Sequence, residues 1–276
     1  MKNTSALIFT DLDGTFLDND NFSYGQNIDY AKNLIKSGHF VIFNSSKTFI
    51  EIFELFSSCK INFPIICETG GGRYFPSEVA NNYQKKINSS YNVIYEAPKI
   101  SQTVDKIKVI CHDFKDEMKF FNDLSHNDKI KISNLDPDGV VLASQRIFSI
   151  LFTWSSSEER LMKLQKTLEK INIRVIRGAR FFHLCSKFDK GTAMVITMNK
   201  FKKIYPDREF ISVALGDSSN DYEMLKLADY PCVVKSSGNK NISYSDLSVD
   251  TVFSSNPAPN GWRECIDNIL NNIGDD

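Results

Sequence analysis

The chain has almost no net charge, no paired-cysteine pattern and no long apolar run, and each absence narrows what it can be. Lys and Arg total 33 against 34 Asp and Glu, a formal charge of -1 over 276 residues. That balance provides no global field to draw in nucleic acid or an anionic membrane, so neither is an expected partner. No apolar run approaches the roughly 20 residues needed to span a bilayer. The first residues lack a cationic stretch leading into an apolar one, so no secretory leader is expected. The six cysteines (Cys59, Cys67, Cys111, Cys185, Cys232 and Cys265) are dispersed, with no C-x-x-C pair. This spacing argues against a zinc site or a disulfide frame and fits buried thiols in a reducing compartment, with the cytoplasm as the expected location. Internal repeats and low-complexity tracts are also missing.

What is there begins with enough apolar material, 42% of residues, for a packed core of one large domain or two modest ones. Residues 6–10 form a short apolar run that suits a buried parallel strand. Residues 27–37 place Ile28, Ala31, Leu34 and Ile35 on one helical face, with Gly38 at the expected C-terminal cap. A strand at 40–43, a helix at 48–58 and a strand at 63–67 continue the alternation. This β-α-β-α-β order predicts a mostly parallel sheet with helices on both faces. From about residue 80 to 185 the texture changes. Strand-like runs at 91–95, 107–111 and 139–142 mix with helical patterns at 115–124 and 157–171, which predicts an inserted α+β unit. Alternation then resumes with a helix at 190–203, a strand at 210–215, a helix at 219–228 and a strand at 231–234. A loop at 254–262 precedes a last helix at 262–271. The predicted architecture is α/β, a Rossmann-like doubly wound parallel core of residues 1–82 and 188–276, interrupted by an α+β unit at 83–187.

Four motifs fall where such a fold does chemistry, at the carboxyl ends of parallel strands. Asp11-Leu12-Asp13-Gly14-Thr15 follows the first strand. Two carboxylates two residues apart on extended chain point the same way and repel unless a cation neutralises them, and oxygen-only ligands suit magnesium. A plain Asp/Gly turn is the alternative. Gly216-Asp217-Ser218-Ser219-Asn220-Asp221 follows another apolar strand and opens a helix, where acidic residues are also ordinary caps. The pairing of two distant acidic clusters at strand ends is what favours a shared cation. Asn44-Ser45-Ser46-Lys47-Thr48 offers hydroxyls and backbone N–H groups at a helix start, suited to phosphate or simply to capping. Asp189-Lys190-Gly191 sets a lysine at the helix end that prefers anions, which makes sense if the lysine holds a phosphate, although on its own it reads more simply as a solvated surface lysine.

Together and in this order, the motifs resemble those of the haloacid dehalogenase-like phosphatases. Within that superfamily the chain is most similar to the mannosyl-3-phosphoglycerate phosphatase branch, through Ser45-Ser46-Lys47-Thr48, Gln145-Arg146-Ile147-Phe148-Ser149, Arg180-Phe181-Phe182-His183-Leu184 and Pro259-Asn260-Gly261-Trp262. The resemblance implies a magnesium-dependent phosphatase acting on a small anionic sugar phosphate, with mannosyl-3-phosphoglycerate as the expected substrate. Asp11 would be the nucleophile and Asp13 the general acid and base. Ser45 and Lys190 would bind the phosphoryl group. Magnesium would be held by Asp11, Asp217 and the backbone carbonyl of Asp13, with Asp221 as a ligand or a support. The inserted unit would be a cap of the larger, C2 type. Substrate contacts are expected from Ser46, Lys47, Thr48, Glu68, Thr69, Gly70 and Asn220 in the core, and from Arg146, Ser149, Arg180 and His183 in the cap. An arginine fork there suits a second anion. Solvated arginines and a satisfied core histidine are the plainer alternatives. The chain departs from the branch at Thr69 (usually Asn), at Ile150-Leu151 after Ser149 (usually Glu-Pro) and at Ala179 (usually Gly). A phosphosugar mutase on the same core, or a non-catalytic sugar-phosphate binder, are the competing readings.

Overall fold

The computed structural model describes residues 4–80, 83, 85–178, 180–236 and 244–274, with the side chains of 272–274 left aside. Ala179 and the expected boundary residues 81–82 therefore lie outside the described residues. The first half of the core runs β1 (Thr4–Thr10), α1 (Asn27–Lys36), β2 (Phe40–Asn44), α2 (Phe49–Phe56), β3 (Ile65–Cys67), β4 (Gly72–Pro76) and β5 (Tyr91–Glu96). There follow α3 (Val104–His112), β6 (Met118–Phe120), α4 (His126–Ser133), α5 (Pro137–Ser144), β7 (Ser149–Trp154), α6 (Glu158–Glu169), β8 (Arg174–Arg177) and β9 (Phe182–Cys185). The chain then returns through α7 (Lys190–Ile204), β10 (Glu209–Gly216), α8 (Tyr222–Leu227), β11 (Tyr230–Lys235), β12 (Val252–Pro257) and α9 (Asn260–Gly274).

The large sheet has the order β12-β11-β10-β1-β2-β3-β4-β5. Its six strands from β12 to β3 are parallel, and β4 and β5 extend it antiparallel. Strand β1 alternates its side chains between two cores, as extended chain must. Ala6 and Ile8 face α1, α2 and α9, whereas Leu7 and Phe9 face α7 and α8. Chain order proceeds outward from β1 on one side and from β10 on the other. The crevice where strand order reverses therefore opens at the carboxyl ends of β1 and β10.

A second, antiparallel sheet of order β6-β7-β9-β8 carries α3 and α6 on one face, around Ile107, Phe152, Leu161, Leu164 and Leu184. Its other face packs Leu151 and Phe181 with Phe121, Val140 and Ala143. Several predicted elements in this region differ. Residues 107–111 are helical, because Ile107 and Cys111, four apart, are buried while Val109 between them is 74% exposed. Residues 139–142 lie in α5, started by the Asp136 side chain, which accepts the Gly139 N–H at 2.6 Å, and by Pro137 in the first turn. The expected helix at 115–124 is instead strand β6, drawn out by pairing with β7, followed by a single 3-10 turn. The strand expected at 91–95 belongs to the large sheet through β4, an unpredicted strand, so that sheet runs past the boundary expected at residue 83. The expected loop at 254–262 contains most of β12, whose pairing with β11 fixes it as an edge strand. No helix of the described residues is long and apolar enough to cross a membrane.

Candidate active site

Strand register alone gathers the motifs. Thr10 is partnered by Leu215 on one side and Phe43 on the other, so Asp11, Asp217 and Ser45 emerge next to one another at the sheet's carboxyl edge. The Asp11 N–H donates to the Leu215 carbonyl at 3.0 Å, continuing the ladder one residue past the strand. Its carbonyl accepts from the Thr10 hydroxyl at 2.7 Å, which itself accepts from the Trp262 indole N–H at 3.0 Å. Phe16 then packs edge-on against Trp262 and Phe43, with centroids 4.8 and 5.2 Å apart. Each such aromatic pair contributes about 0.5–1.5 kcal/mol beyond its burial, which pins the turn after Asp13. Gly14 has φ +79°, and a Cβ there would lie 2.7 Å from Asp217 Oδ2, so the turn demands glycine both for its backbone and for the carboxylate beside it.

Carboxylate oxygens of Asp11, Asp217 and Asp221 lie within 4.8 Å of one another, and all three residues are buried. Lys190, fully buried, places its ammonium 2.6 Å from Asp11 Oδ1 and 2.7 Å from Asp221 Oδ1. Its position in the first turn of α7, where a cation opposes the helix dipole, is thereby balanced by carboxylates. The Asn44 amide reinforces it by donating to the Lys190 carbonyl at 3.0 Å. Burial, followed by the charges of Asp221 and Asp217, raises Asp11 to about 7 against the pull of Lys190. Burial also opposes the Lys190 ammonium, but Asp11 and then Asp221 overcome it and hold the group above its ordinary range. Three carboxylates around one ammonium, all oxygen donors, fit a hard divalent cation such as magnesium. Asp221 is the most committed of the three. Its Oδ2 accepts the N–H groups of Asp217 and Ser218 at 3.2 and 3.0 Å, and its Oδ1 faces Lys190.

Asp13 lies outside this group of three, with Oδ2 3.0 Å from the Lys47 ammonium. Burial works against that ammonium, and Asp13 and Glu51 raise its pKa above the ordinary value nonetheless. Beside them, under the second sheet, is a cavity of about 80 Å3 lined by Asp13, Ser46, Lys47, Glu51, Phe121, Ser133, Leu135, Ala143, Arg146, Leu151, Arg180, Phe181 and His183. Of the expected substrate contacts, Ser46, Lys47, Arg146, Arg180 and His183 meet here. His183 is buried and neutral, its pKa lowered well below the usual value by burial and then by Arg146 and Lys190, and its Nδ1 has no partner among the described residues. Arg180 donates to the Asn19 carbonyl at 2.8 Å and lies over the Phe22 ring.

Thr48, Glu68, Thr69, Gly70, Ser149 and Asn220 do not line this cavity. The Thr48 hydroxyl caps α2 by accepting the Glu51 N–H, and Asn220 accepts from the Ser218 hydroxyl at 2.6 Å. Glu68 and Thr69 adopt left-handed backbone at φ +46° and +61°, a cost of about 1–2 kcal/mol each for residues with a Cβ. The Glu68 carboxylate is taken up by backbone and side chain at the start of β7. Arg177 pairs with Glu158 at 2.5 Å, and Arg174 with Asp189 at 2.9 Å. Glu51, Phe121, Ser133, Leu135, Ala143, Leu151 and Phe181 were not anticipated as cavity lining. In sequence they carry only the ordinary signals of cap, core and helix.

Fold and site together are those of a doubly wound α/β enzyme whose acidic crevice is roofed by an inserted domain. The chain belongs to the haloacid dehalogenase-like hydrolase family, whose pattern matches residues 8–256. It is 29% identical over 272 residues to a glucosyl-3-phosphoglycerate/mannosyl-3-phosphoglycerate phosphatase of Persephonella marina, covering 97% of this chain and 98% of the relative. A phosphatase of the same name from Methanococcoides burtonii is 27% identical over 275 residues, covering 97% and 99%. The solved structure of SMU.1108c from Streptococcus mutans superposes with a TM-score of 0.68 at 19% identity, covering 97% of this chain and 99% of that one.

Proposed function

We propose that the enzyme is a magnesium-dependent phosphatase of a small anionic sugar phosphate, with mannosyl-3-phosphoglycerate as the favoured substrate, cleaved to mannosylglycerate and phosphate. The observation that carries the chemistry is the Lys190 ammonium, held 2.6 Å from Asp11 and 2.7 Å from Asp221 beside Asp217. In this reading an Asp11 oxygen attacks phosphorus in line while the bond to the sugar-acid oxygen breaks. Asp13 delivers a proton to that oxygen, then takes one from the water that cleaves the aspartyl-phosphate and restores the Asp11 carboxylate. Lys190 and the Ser45 hydroxyl hold the phosphoryl oxygens as charge grows on them. Asp11, Asp217 and the Asp13 carbonyl would hold magnesium, whose charge stabilises the phosphoryl transition state, and Asp221 orients Lys190 and the 217–218 turn.

The substrate class rests on the cavity wall. Lys47, Arg146 and Arg180 present cations next to the apolar faces of Phe121, Leu151 and Phe181. Such a wall suits a second anion, a glycerate carboxylate, better than a neutral hexose. Both relatives carry phosphatase names with glycosyl-3-phosphoglycerate substrates, which supports the same choice. The six buried free thiols are in keeping with a cytoplasmic enzyme. The test is phosphate release with and without magnesium from mannosyl- and glucosyl-3-phosphoglycerate, hexose 6-phosphates and an aryl phosphate. Metal-dependent release from a glycosyl-phosphoglycerate, well above the hexose phosphates, is expected. Release from the aryl phosphate alone would reject the substrate, and a rearranged ester without free phosphate would identify a mutase.

A further inference from the structure

Glu68 lies just past the end of β3, 1% exposed, yet both of its carboxylate oxygens are engaged by a segment 79 to 81 residues further along the chain. Oε1 accepts the Ile147 N–H at 2.9 Å, and Oε2 accepts the Phe148 N–H at 3.0 Å and the Ser149 hydroxyl at 2.7 Å. These donors sit at the start of β7, the strand that carries Leu151 into the cavity wall. Arg146, immediately before them, donates through Nε to the Ser149 hydroxyl at 2.9 Å and lies 3.9 Å from Glu68 Oε2. Its other end donates to the carbonyl of Ser46.

The same turn also grips the loop that follows β2. The Glu68 N–H donates to the Lys47 carbonyl at 2.8 Å, and the Thr69 N–H to the Ser45 carbonyl at 2.9 Å. The carbonyls of Ser45, Ser46 and Lys47 are therefore all held, two by the 68–69 turn and one by Arg146. Left-handed backbone at Glu68 and Thr69 is what lets one short turn bond to this loop with its main chain and to the cap with its side chain. Gly70 completes it at φ +109°, where a Cβ would meet the Asp189 carbonyl at 2.8 Å, next to Lys190.

We propose that Glu68 is a positioning residue, not a substrate ligand, that sets the register of the cap on the phosphate-binding loop 45–47, so that the cationic wall and the nucleophile face the same substrate. The inference rests on the phosphatase reading for its consequence but not for its geometry. A carboxylate is required because every group converging on it is a donor. A glutamine would turn its own N–H2 toward at least one of them.

The experiment is Glu68→Gln, read by hydrogen–deuterium exchange and by kinetics. Exchange should rise together in peptides spanning 45–48 and 146–149, with β10 and α8 unchanged. A rise confined to one of the two segments, or spread over the whole chain, would overturn the proposal. In kinetics, kcat/KM for the glycosyl-phosphoglycerate should fall roughly 10- to 100-fold, as small misplacements of a bound group do, with a smaller fall for an aryl phosphate that does not reach the cap wall. Equal losses on both substrates would contradict it. If the wild-type enzyme releases no phosphate from any substrate, the phosphatase reading fails, and the exchange experiment still decides the role of Glu68. Should Glu68→Gln fold poorly, Ser149→Ala removes one donor from the same carboxylate and should raise exchange in the same two segments. No change in either would reject the coupling.

Discussion

Asp11 sits among charges that act against one another, and its reactivity depends on which of them prevail. Burial, Asp221 and Asp217 favour its neutral form, while Lys190 favours the carboxylate that a nucleophile requires. Asp11→Asn should abolish phosphate release, by several orders of magnitude, while circular dichroism shows the fold retained; substantial residual turnover would remove Asp11 from the nucleophile's role. Asp13 stands apart from this cluster, facing Lys47 across 3.0 Å at the cavity. Asp13→Ala is expected to cost about 10²- to 10⁴-fold on a sugar phosphate, the usual worth of a positioned acid. The cost should be smaller on an activated aryl phosphate, whose leaving group needs no proton, and matching losses would argue against the assignment.

At the scale of elements, the junction of β12 with α9 shows how one side chain holds two pieces of structure. Glu264 accepts the Ser255 N–H at 2.7 Å and the Asn256 N–H and amide at 3.0 Å. These bonds, Ser255's N–H foremost, bring its pKa from 4.5 to about 2. A carboxyl depressed on folding stabilises the protein above its unfolded value, and the benefit is lost as pH falls from about 4.5 toward 2. Glu264→Gln should therefore destabilise the fold at neutral pH, by no more than about 1 kcal/mol because the group is solvent-screened, with a matching fall in melting temperature that closes as pH drops through about 2. A gap independent of pH would mean that charge is not what matters. The core elements were legible in sequence because buried parallel strands are continuous apolar runs that end abruptly in Asp11, Asn44 and Asp217. The cap was less so. Val109-Ile110-Cys111 and Val140-Val141-Leu142 are short apolar runs that suit either period. The decisive signals, Asp136-Pro137 at the start of α5 and the four-residue spacing of Ile107 and Cys111, are local and easily passed over. The contacts of Glu68 lie 79 to 81 residues away in the chain, and no local pattern announces them.

At the scale of the whole molecule, the cavity beside Asp13 measures about 80 Å3, and a neighbouring cleft of about 580 Å3 shares Lys47, Glu51 and Leu135 with it, within the roughly 300–1,000 Å3 of sites that hold organic ligands. Magnesium belongs to this scale as well, since Asp11 and Asp217 come from opposite ends of the chain. A cation bound only when they meet should stabilise the fold by about 2.7 kcal/mol at 100 times its Kd. Scanning fluorimetry should show this as a rise in melting temperature on adding magnesium, reversed by a chelator and largely lost in Asp217→Asn. A shift unaltered in that variant would place the cation elsewhere. Strand β1 pairs with β10 from Thr4 opposite Glu209, so β1 waits about 200 residues of synthesis for this neighbour. At roughly 5–20 residues per second that is about 10–40 s of synthesis, during which the cap can assemble from contiguous chain while one edge of β1 remains open. Asp11 is thus made well before the Lys190 and Asp221 side chains that complete its surroundings, so a partly synthesised chain carries this aspartate without the ammonium that balances its charge.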